Sequence, residues 1–325
     1  MEPVITVKNL NRSYVTYKRG DTLLETVKSL FVREKVVIEA VRDVSFDIEP
    51  GTITGLLGEN GAGKSTTIKM LTGVLHPTSG DIRVLGYVPF AERARYVKHI
   101  GAVFGQKSQL IWDIPPADSF RLNMAVYGIL EADYRRRLDR MIGLLNLGGI
   151  VEKPTRVLSL GERMKCEFIM CMLHAPRVVF LDEPTIGLDV LAKDAIRDFI
   201  RELNREGVTF ILTTHDLADV ESLAHRVIII NRGRKVFEDS LGALKRHLGN
   251  KKNVRVVMNT PLPQDLAGIT VLSRSGDREA ELLIDMDSLP MSAFLARLSG
   301  WGELKDIAIE ELGIETVIKA IYENK

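Results

Sequence analysis

Cysteine is scarce in this chain: Cys166 and Cys171 are the only two in 325 residues, and both sit in one apolar stretch. Two such residues cannot build a disulfide framework, which points to a reducing compartment. An excess of charge is also missing, since 44 Lys and Arg face 43 Asp and Glu, a formal net charge of +1. A general nucleic-acid binder usually carries a basic excess or a basic face, so the balance gives that class no support. Long apolar runs are absent as well. The longest, around Arg177 to Leu181 and Arg226 to Ile230, have the length of a buried strand and fall far short of the roughly 18 residues that a membrane helix needs. Met1 to Leu10 holds no apolar core of a secretory leader. Any membrane role is therefore expected to run through a partner. No internal repeat or low-complexity tract is visible.

What is present is an ordinary globular composition, 45% hydrophobic and 27% charged, at a length that suggests about two domains. Up to about residue 240, short β-rich runs (Val4 to Val7, Thr52 to Leu57, Val178 to Leu181, Thr209 to Thr213, Val227 to Ile230) alternate with helical patterns. Such alternation predicts an α/β domain with a mostly parallel sheet. Ala117 to Leu147 reads as helical, with Arg135, Arg136, Arg137 and Arg140 on a solvated face. Residues 241–252, basic and carrying Gly249 and Asn250, read as a linker. Residues 253–325 then form a small α+β domain, with strands expected at Val254 to Met258, Thr270 to Ser273, Glu281 to Ile284 and Asp306 to Glu310. Helices are expected near Pro290 to Leu298 and Ile314 to Tyr322.

The strongest chemical signal is Gly58-Glu59-Asn60-Gly61-Ala62-Gly63-Lys64-Ser65, set between the apolar run Ile53 to Leu57 and a helical run that opens at Thr66. It fits the GxxxxGK[ST] phosphate loop in the strand-to-helix context that motif requires. Glycines let the backbone wrap a phosphate chain with its N–H groups inward, and the helix adds its positive end. Lys64 is expected to reach the β and γ phosphates and the Ser65 hydroxyl to ligate Mg²⁺. A second signal is Val178-Val-Phe-Leu-Asp182-Glu183, an apolar strand ending in two carboxylates at the edge of a parallel sheet where ligands bind. There Asp182 would hold the magnesium through water and Glu183 would polarise the attacking water. A third is Leu158-Ser159-Leu160-Gly161-Glu162, heading a helical run. Ser159 and Glu162 have the spacing of a capping box, and the N-terminus they cap is also a ready anion site.

In this order, with Phe104-Gly105-Gln106, Gly187-Leu188-Asp189 and His215 falling in place, residues 1–240 resemble the ATP-binding subunit of an ABC transporter. The resemblance implies a P-loop ABC cassette with a mixed sheet and a helical subdomain at about 107–175, binding ATP and Mg²⁺. It implies that Gln106 contacts Mg²⁺ and the attacking water, that His215 touches the γ phosphate, and that Tyr14 stacks on adenine. Asp189 would be the carboxylate of the loop at the subunit interface. Ser159 and Gly161 would donate to the γ phosphate of an ATP held by the opposite subunit. Leu160 and Glu162 depart from the family's LSGGQ, and Glu162 is read as a capping residue turned toward its own helix. The Ser-Leu-Gly signature and the appended domain are similar to drug- and polymer-exporting systems, whose membrane permeases are separate chains.

The expected function is therefore an ATP-hydrolysing subunit that works as a homodimer, or with a related cassette, on the cytoplasmic side of the cell membrane. The alternative is a soluble ABC-type ATPase acting on ribosomes or DNA. One stretch is unusual: residues 18–35 place Leu23, Leu24, Val27, Leu30 and Phe31 on one stripe of a helix, behind the capping box Thr22 to Glu25. Two readings stay open for it, packing on the cassette's own sheet or lying where the cassette meets its permease or the membrane.

Overall fold

The computed structural model describes residues 2–17, 35–105, 107–214, 216–246, 249–264, 266, 268–311 and 314–323. The inserted stretch at 18–34, Gln106 and His215 lie outside these described residues. The chain divides into two units, Met1–Asp239 and Ser240–Lys325.

Strands β3 (Ile53–Leu57), β6 (Val178–Asp182), β7 (Thr209–Thr213) and β8 (Arg226–Asn231) are continuous apolar runs, buried almost throughout. Runs of that kind belong in a parallel sheet covered on both faces. They do form one, joined by β5 (Ile100–Phe104) and β9 (Arg234–Ser240) in the order β5-β6-β7-β3-β8-β9, with each pairing from β5 through β8 parallel.

A second, antiparallel sheet of β1 (Ile5–Tyr17), β2 (Lys35–Ile48) and β4 (Ser79–Val84) has the order β2-β1-β4. Sequence patterning reaches only the first few residues of β1, because its outer half is exposed and lacks the apolar run that marks a buried strand. The β1–β2 pairing runs on to Tyr17 opposite Lys35, past register shifts between Val7 and Ser13. At those shifts Asn9 and Asp43 both adopt positive φ, and the Asn9 amide donates to the Asp43 carboxylate at 2.8 Å. Short polar side chains tolerate that conformation, and such bulges bend and twist the ribbon.

Helix α1 (Lys64–Leu71) follows the phosphate loop. Two helices, α2 (Pro116–Tyr127) and α3 (Glu131–Leu145), fill the expected helical stretch, ended by Gly128 and Asn146 in the left-handed conformation. Helix α4 (Leu160–Met172) carries the signature, α5 (Val190–Arg205) follows the acidic pair, and α6 (Leu217–Leu223) precedes β8. On α5 the buried Ala192, Ile196, Phe199, Ile200 and Leu203 draw one stripe. That stripe packs into a core with Phe120, Phe168 and Leu181, where Phe168 and Phe199 meet edge to face at 6.0 Å. A second core, with Ile5, Leu10, Ile68, Phe180 and Ile211, joins α1 and the parallel sheet to the antiparallel one.

The second unit is an antiparallel sheet, order β11-β12-β10-β13, made by β10 (Lys251–Met258), β11 (Thr270–Arg274), β12 (Glu279–Asp285) and β13 (Leu304–Glu311). Its helices are α7 (Leu241–Arg246), α8 (Met291–Gly300) and α9 (Ile314–Glu323). Val254, Val256, Leu282, Ile284 and Phe294 form its core. The linker expected at 241–252 is corrected here: α7 and the start of β10 occupy most of it, inside the second unit. The basic residues that made it look like a tether stand in the last turn of α7 (Lys245, Arg246) and at the start of β10 (Lys251, Lys252), which pairs with β12 on one side and β13 on the other.

Candidate functional site

The carboxyl ends of β3, β6 and β7, neighbours in one parallel sheet, point the same way, and the chain leaves each of them at a polar loop. After β3 the loop Gly58–Gly63 turns into α1. Gly63 has φ +111°, and a Cβ there would lie 2.4 Å from the Ala40 carbonyl oxygen, so only glycine fits. Lys64 is buried, and its Nζ donates to the carbonyls of Gly58 at 2.8 Å and Glu59 at 3.0 Å. Burial pushes its ammonium pKa down, while the charges of Glu183 and Asp182 push it back up. The first turn of α1 holds no acidic residue, which leaves the positive end of the helix uncancelled.

The facing wall comes from β6 and β7. Ser65 Oγ donates to Asp182 Oδ1 at 3.0 Å, and Thr213 Oγ1 donates to the same oxygen at 2.5 Å. Glu183 leaves the strand with φ +53°, its N–H donating to the Thr213 carbonyl at 3.0 Å and reaching the Thr213 hydroxyl at 3.2 Å. The Gly105 N–H donates to the Asp182 carbonyl at 2.9 Å, and a Cβ on Gly105 would stand 2.4 Å from the Glu183 carbonyl oxygen. A cleft of about 740 Å³ results, lined by Asn60, Ser65, Lys69, Gly105, Asp182 and Glu183 among others. Among the described residues no group of three or more His, Cys, Asp or Glu is assembled for a metal. What Ser65 and Asp182 offer instead is a hydroxyl and a carboxylate oxygen side by side, a donor set that fits a Mg²⁺ shared with phosphate oxygens.

The other expected residues stand apart from the cleft lining. Ser159 caps α4 by the reciprocal box: its Oγ accepts from the Glu162 N–H at 3.2 Å, and Glu162 Oε2 accepts from the Ser159 N–H at 2.8 Å. Those bonds hold the Glu162 carboxyl below the ordinary range. Gly161 begins α4 so near α5 that a Cβ would lie 2.9 Å from the Ala192 Cβ. Asp189 is exposed and caps α5, accepting from the Ala192 N–H at 2.7 Å. Tyr14 pairs with Ile38, two residues along β2 from the Ala40 carbonyl that abuts Gly63, and the Arg12 guanidinium lies 4.7 Å over its ring.

Two residues that sequence reasoning passed over are part of this framework. Thr213 is the hydroxyl that orients Asp182. Asp219 is buried and accepts from the Thr185 hydroxyl and from Arg197 Nε at 2.8 Å, tying the loop after Glu183 to α5. A threonine at the end of one β run and an aspartate in the first turn of a helix carry no signal by themselves.

The model of the ABC transporter family matches residues 41–186. ABC transporter ATP-binding protein NatA of Bacillus subtilis (strain 168) is 31% identical over 214 residues, 66% of this chain and 87% of that protein. The chain belongs to the ABC transporter ATP-binding family. Nod factor export ATP-binding protein I of Burkholderia pseudomallei (strain 1710b) is 33% identical over 205 residues, covering 63% of this chain and 66% of that one. A solved ATP-binding subunit of an ABC transporter superposes with TM-score 0.63 at 27% identity, over 75% of this chain and 93% of that one. The chain is thus an ABC cassette, an ATP-binding ATPase on the P-loop fold, as its motifs imply.

Proposed function

We propose that this ABC cassette binds ATP with Mg²⁺ in the 740 Å³ cleft, hydrolyses it there, and drives export through separate permease chains from the cytoplasmic side of a cell membrane. The observation that carries the reading is the meeting of Lys64, Ser65, Asp182 and Glu183 at the carboxyl edge of one sheet. Loop N–H groups and the head of α1 receive the phosphates, and Lys64 exchanges its two carbonyl partners for them. Ser65 and Asp182 hold the cation, with Asp182 kept in aim by Thr213. Bound Mg²⁺ supplies neutralisation of the charge that builds on the phosphates. Glu183, fixed by its backbone bonds to Thr213, takes the proton of the attacking water. Gln106 and His215 are proposed to complete this site, and Tyr14 to stack on the base.

Ser159 and Gly161 do not line the cleft, yet they crown an exposed helix N-terminus suited to a phosphate. We read that end as the second half of a site in a partner cassette, with Asp189 beside it. Among the described residues no helix is long and apolar enough to cross a membrane. The helical region does expose Ile111, Trp112, Leu122 and Val126, a surface suited to a permease. The similarity to a Nod factor export protein supports the export direction. Mixing Ser159→Arg chains with Lys64→Ala chains tests shared sites, because each heterodimer regains one intact site. Hydrolysis should reappear on mixing, and no recovery where heterodimers demonstrably form would refute the arrangement.

A further inference from the structure

Glu167 is a buried carboxylate, 4% exposed, that plays no part in the chemistry described above and does not line the ATP cleft. A carboxylate so enclosed must be matched by donors. Its donors come from three consecutive residues of one loop. Ser108 Oγ donates to Oε1, the Gln109 N–H lies 3.0 Å from Oε1 and 3.1 Å from Oε2, and the Leu110 N–H lies 3.4 Å from Oε1. This loop directly follows Phe104-Gly105-Gln106. Burial pushes the Glu167 carboxyl pKa up, while the Ser108, Gln109 and Leu110 bonds and the Arg163 charge push it down.

The loop is gripped twice from the same helix. One turn before Glu167 on α4, the Arg163 guanidinium sits 5.6 Å over the ring of Trp112. The loop has further anchors on the parallel sheet, where Gln109 Nε2 donates to the Ala102 carbonyl on β5 at 2.7 Å and the Lys107 N–H to the Phe104 carbonyl at 2.9 Å. On its far side the Ile111 N–H donates to Ser119 Oγ on α2 at 3.2 Å, and the Trp112 carbonyl accepts from the Arg156 N–H at 3.0 Å. Gly105, just before it, bonds the carbonyl of Asp182. Gly105 is thus bonded to the acidic pair, and Ser108, Gln109 and Leu110 to α4, whose first residues are the signature.

We infer that Glu167 is a positioning residue for ATP hydrolysis, clasping the loop after Gln106 to the signature helix so that glutamine loop and signature move as one body. The inference rests on the ATPase reading above. If α4 shifts when its N-terminus meets a phosphate, the clasp carries that shift to the residues beside Glu183. Without the clasp, ATP still binds to the phosphate loop, but the two halves of the machinery lose their fixed relation. The effect should therefore fall on turnover and spare binding.

The test compares Glu167→Ala, Glu167→Gln and Ile169→Ala in the full chain. Ile169 is fully buried on the same helix and takes no part in the Glu167 hydrogen bonds, so its truncation loosens α4 while leaving those bonds their partners. Glu167→Ala should lower kcat about tenfold, the range expected for breaking a coupling network, with KM and the Kd for a fluorescent ATP analogue unchanged. Glu167→Gln should recover most of the rate, since an amide oxygen in the place of Oε1 can accept the two shorter bonds, from Ser108 and from the Gln109 N–H. Ile169→Ala should lose thermal stability with little loss of kcat. Should Glu167→Ala fail to fold, Ser108→Ala removes one donor and should lower kcat alone, severalfold. The inference is overturned if the folded Glu167 or Ser108 variant turns over within twofold of wild type. It is overturned equally if Glu167→Gln loses as much as Glu167→Ala, or if any loss tracks Tm as it does in Ile169→Ala. Wild-type chain that binds or hydrolyses no ATP would instead sink the ATPase reading.

Discussion

Replacing Glu183 with Gln separates binding from chemistry. The change conserves shape, and the backbone that fixes residue 183 is indifferent to it: the N–H still meets Thr213 and φ stays near the observed +53°. Tm should therefore be unaltered. The phosphate loop, Lys64 and the Ser65–Asp182 pair are untouched, and one negative charge beside the phosphates disappears, so ATP affinity should hold or rise. What the amide cannot do is accept a proton. A positioned general base contributes about 10²–10⁴ in rate, or about 3–5 kcal/mol of barrier. Phosphate release under saturating ATP should fall by that factor, while a fluorescent ATP analogue binds at least as tightly as to wild type. Turnover above half the wild-type rate would refute the role given to Glu183. A loss of rate matched by an equal loss of affinity would refute it as well, since residue 183 would then be acting on binding.

Three further outcomes follow from the geometry. Lys64→Ala removes the buried ammonium from the loop carbonyls and should abolish ATP binding itself, measured by the same titration. Phe168→Ala empties a fully buried site in contact with Phe199 and should cost about 3–5 kcal/mol, seen as a fall in Tm on the order of 10 °C by calorimetry. Burial holds the His174 pKa below its ordinary 6.5, with Nε2 against the Ile100 carbonyl at 2.8 Å. As pH falls below about 6.5 the unfolded chain takes up that proton first, so stability present at pH 7 is lost on acidification. Denaturant midpoints at pH 7 and 5 should show the drop, and His174→Phe should shrink it.

The phosphate loop and the acidic pair are legible in the sequence because each is a contiguous run whose chemistry depends on local backbone: a strand, a glycine turn and a helix head. The parallel strands β3, β6, β7 and β8 are legible for the same reason, since burial on both faces writes an unbroken apolar run, whereas β5, half-buried at Ala102 and Phe104, was passed over. Residues whose role depends on a distant segment were not legible. Thr213 meets Asp182 across 31 positions, and Glu167 meets Gln109 across 58. The outer half of the β1–β2 hairpin escaped because its exposed strands mix valines with polar residues. The basic run at 245–252 read as a tether because lysines in the last turn of a short helix or at the start of a strand are indistinguishable in sequence from lysines on a linker.

The central claim, that two copies hydrolyse ATP at shared sites, is tested most directly by phosphate release against subunit concentration. The range should be one over which light scattering follows the chain from monomer to ATP-bound dimer. The rate per subunit should be near zero for monomers and rise with the dimer fraction. A rate per subunit that stays constant and substantial across the monomeric range would contradict it.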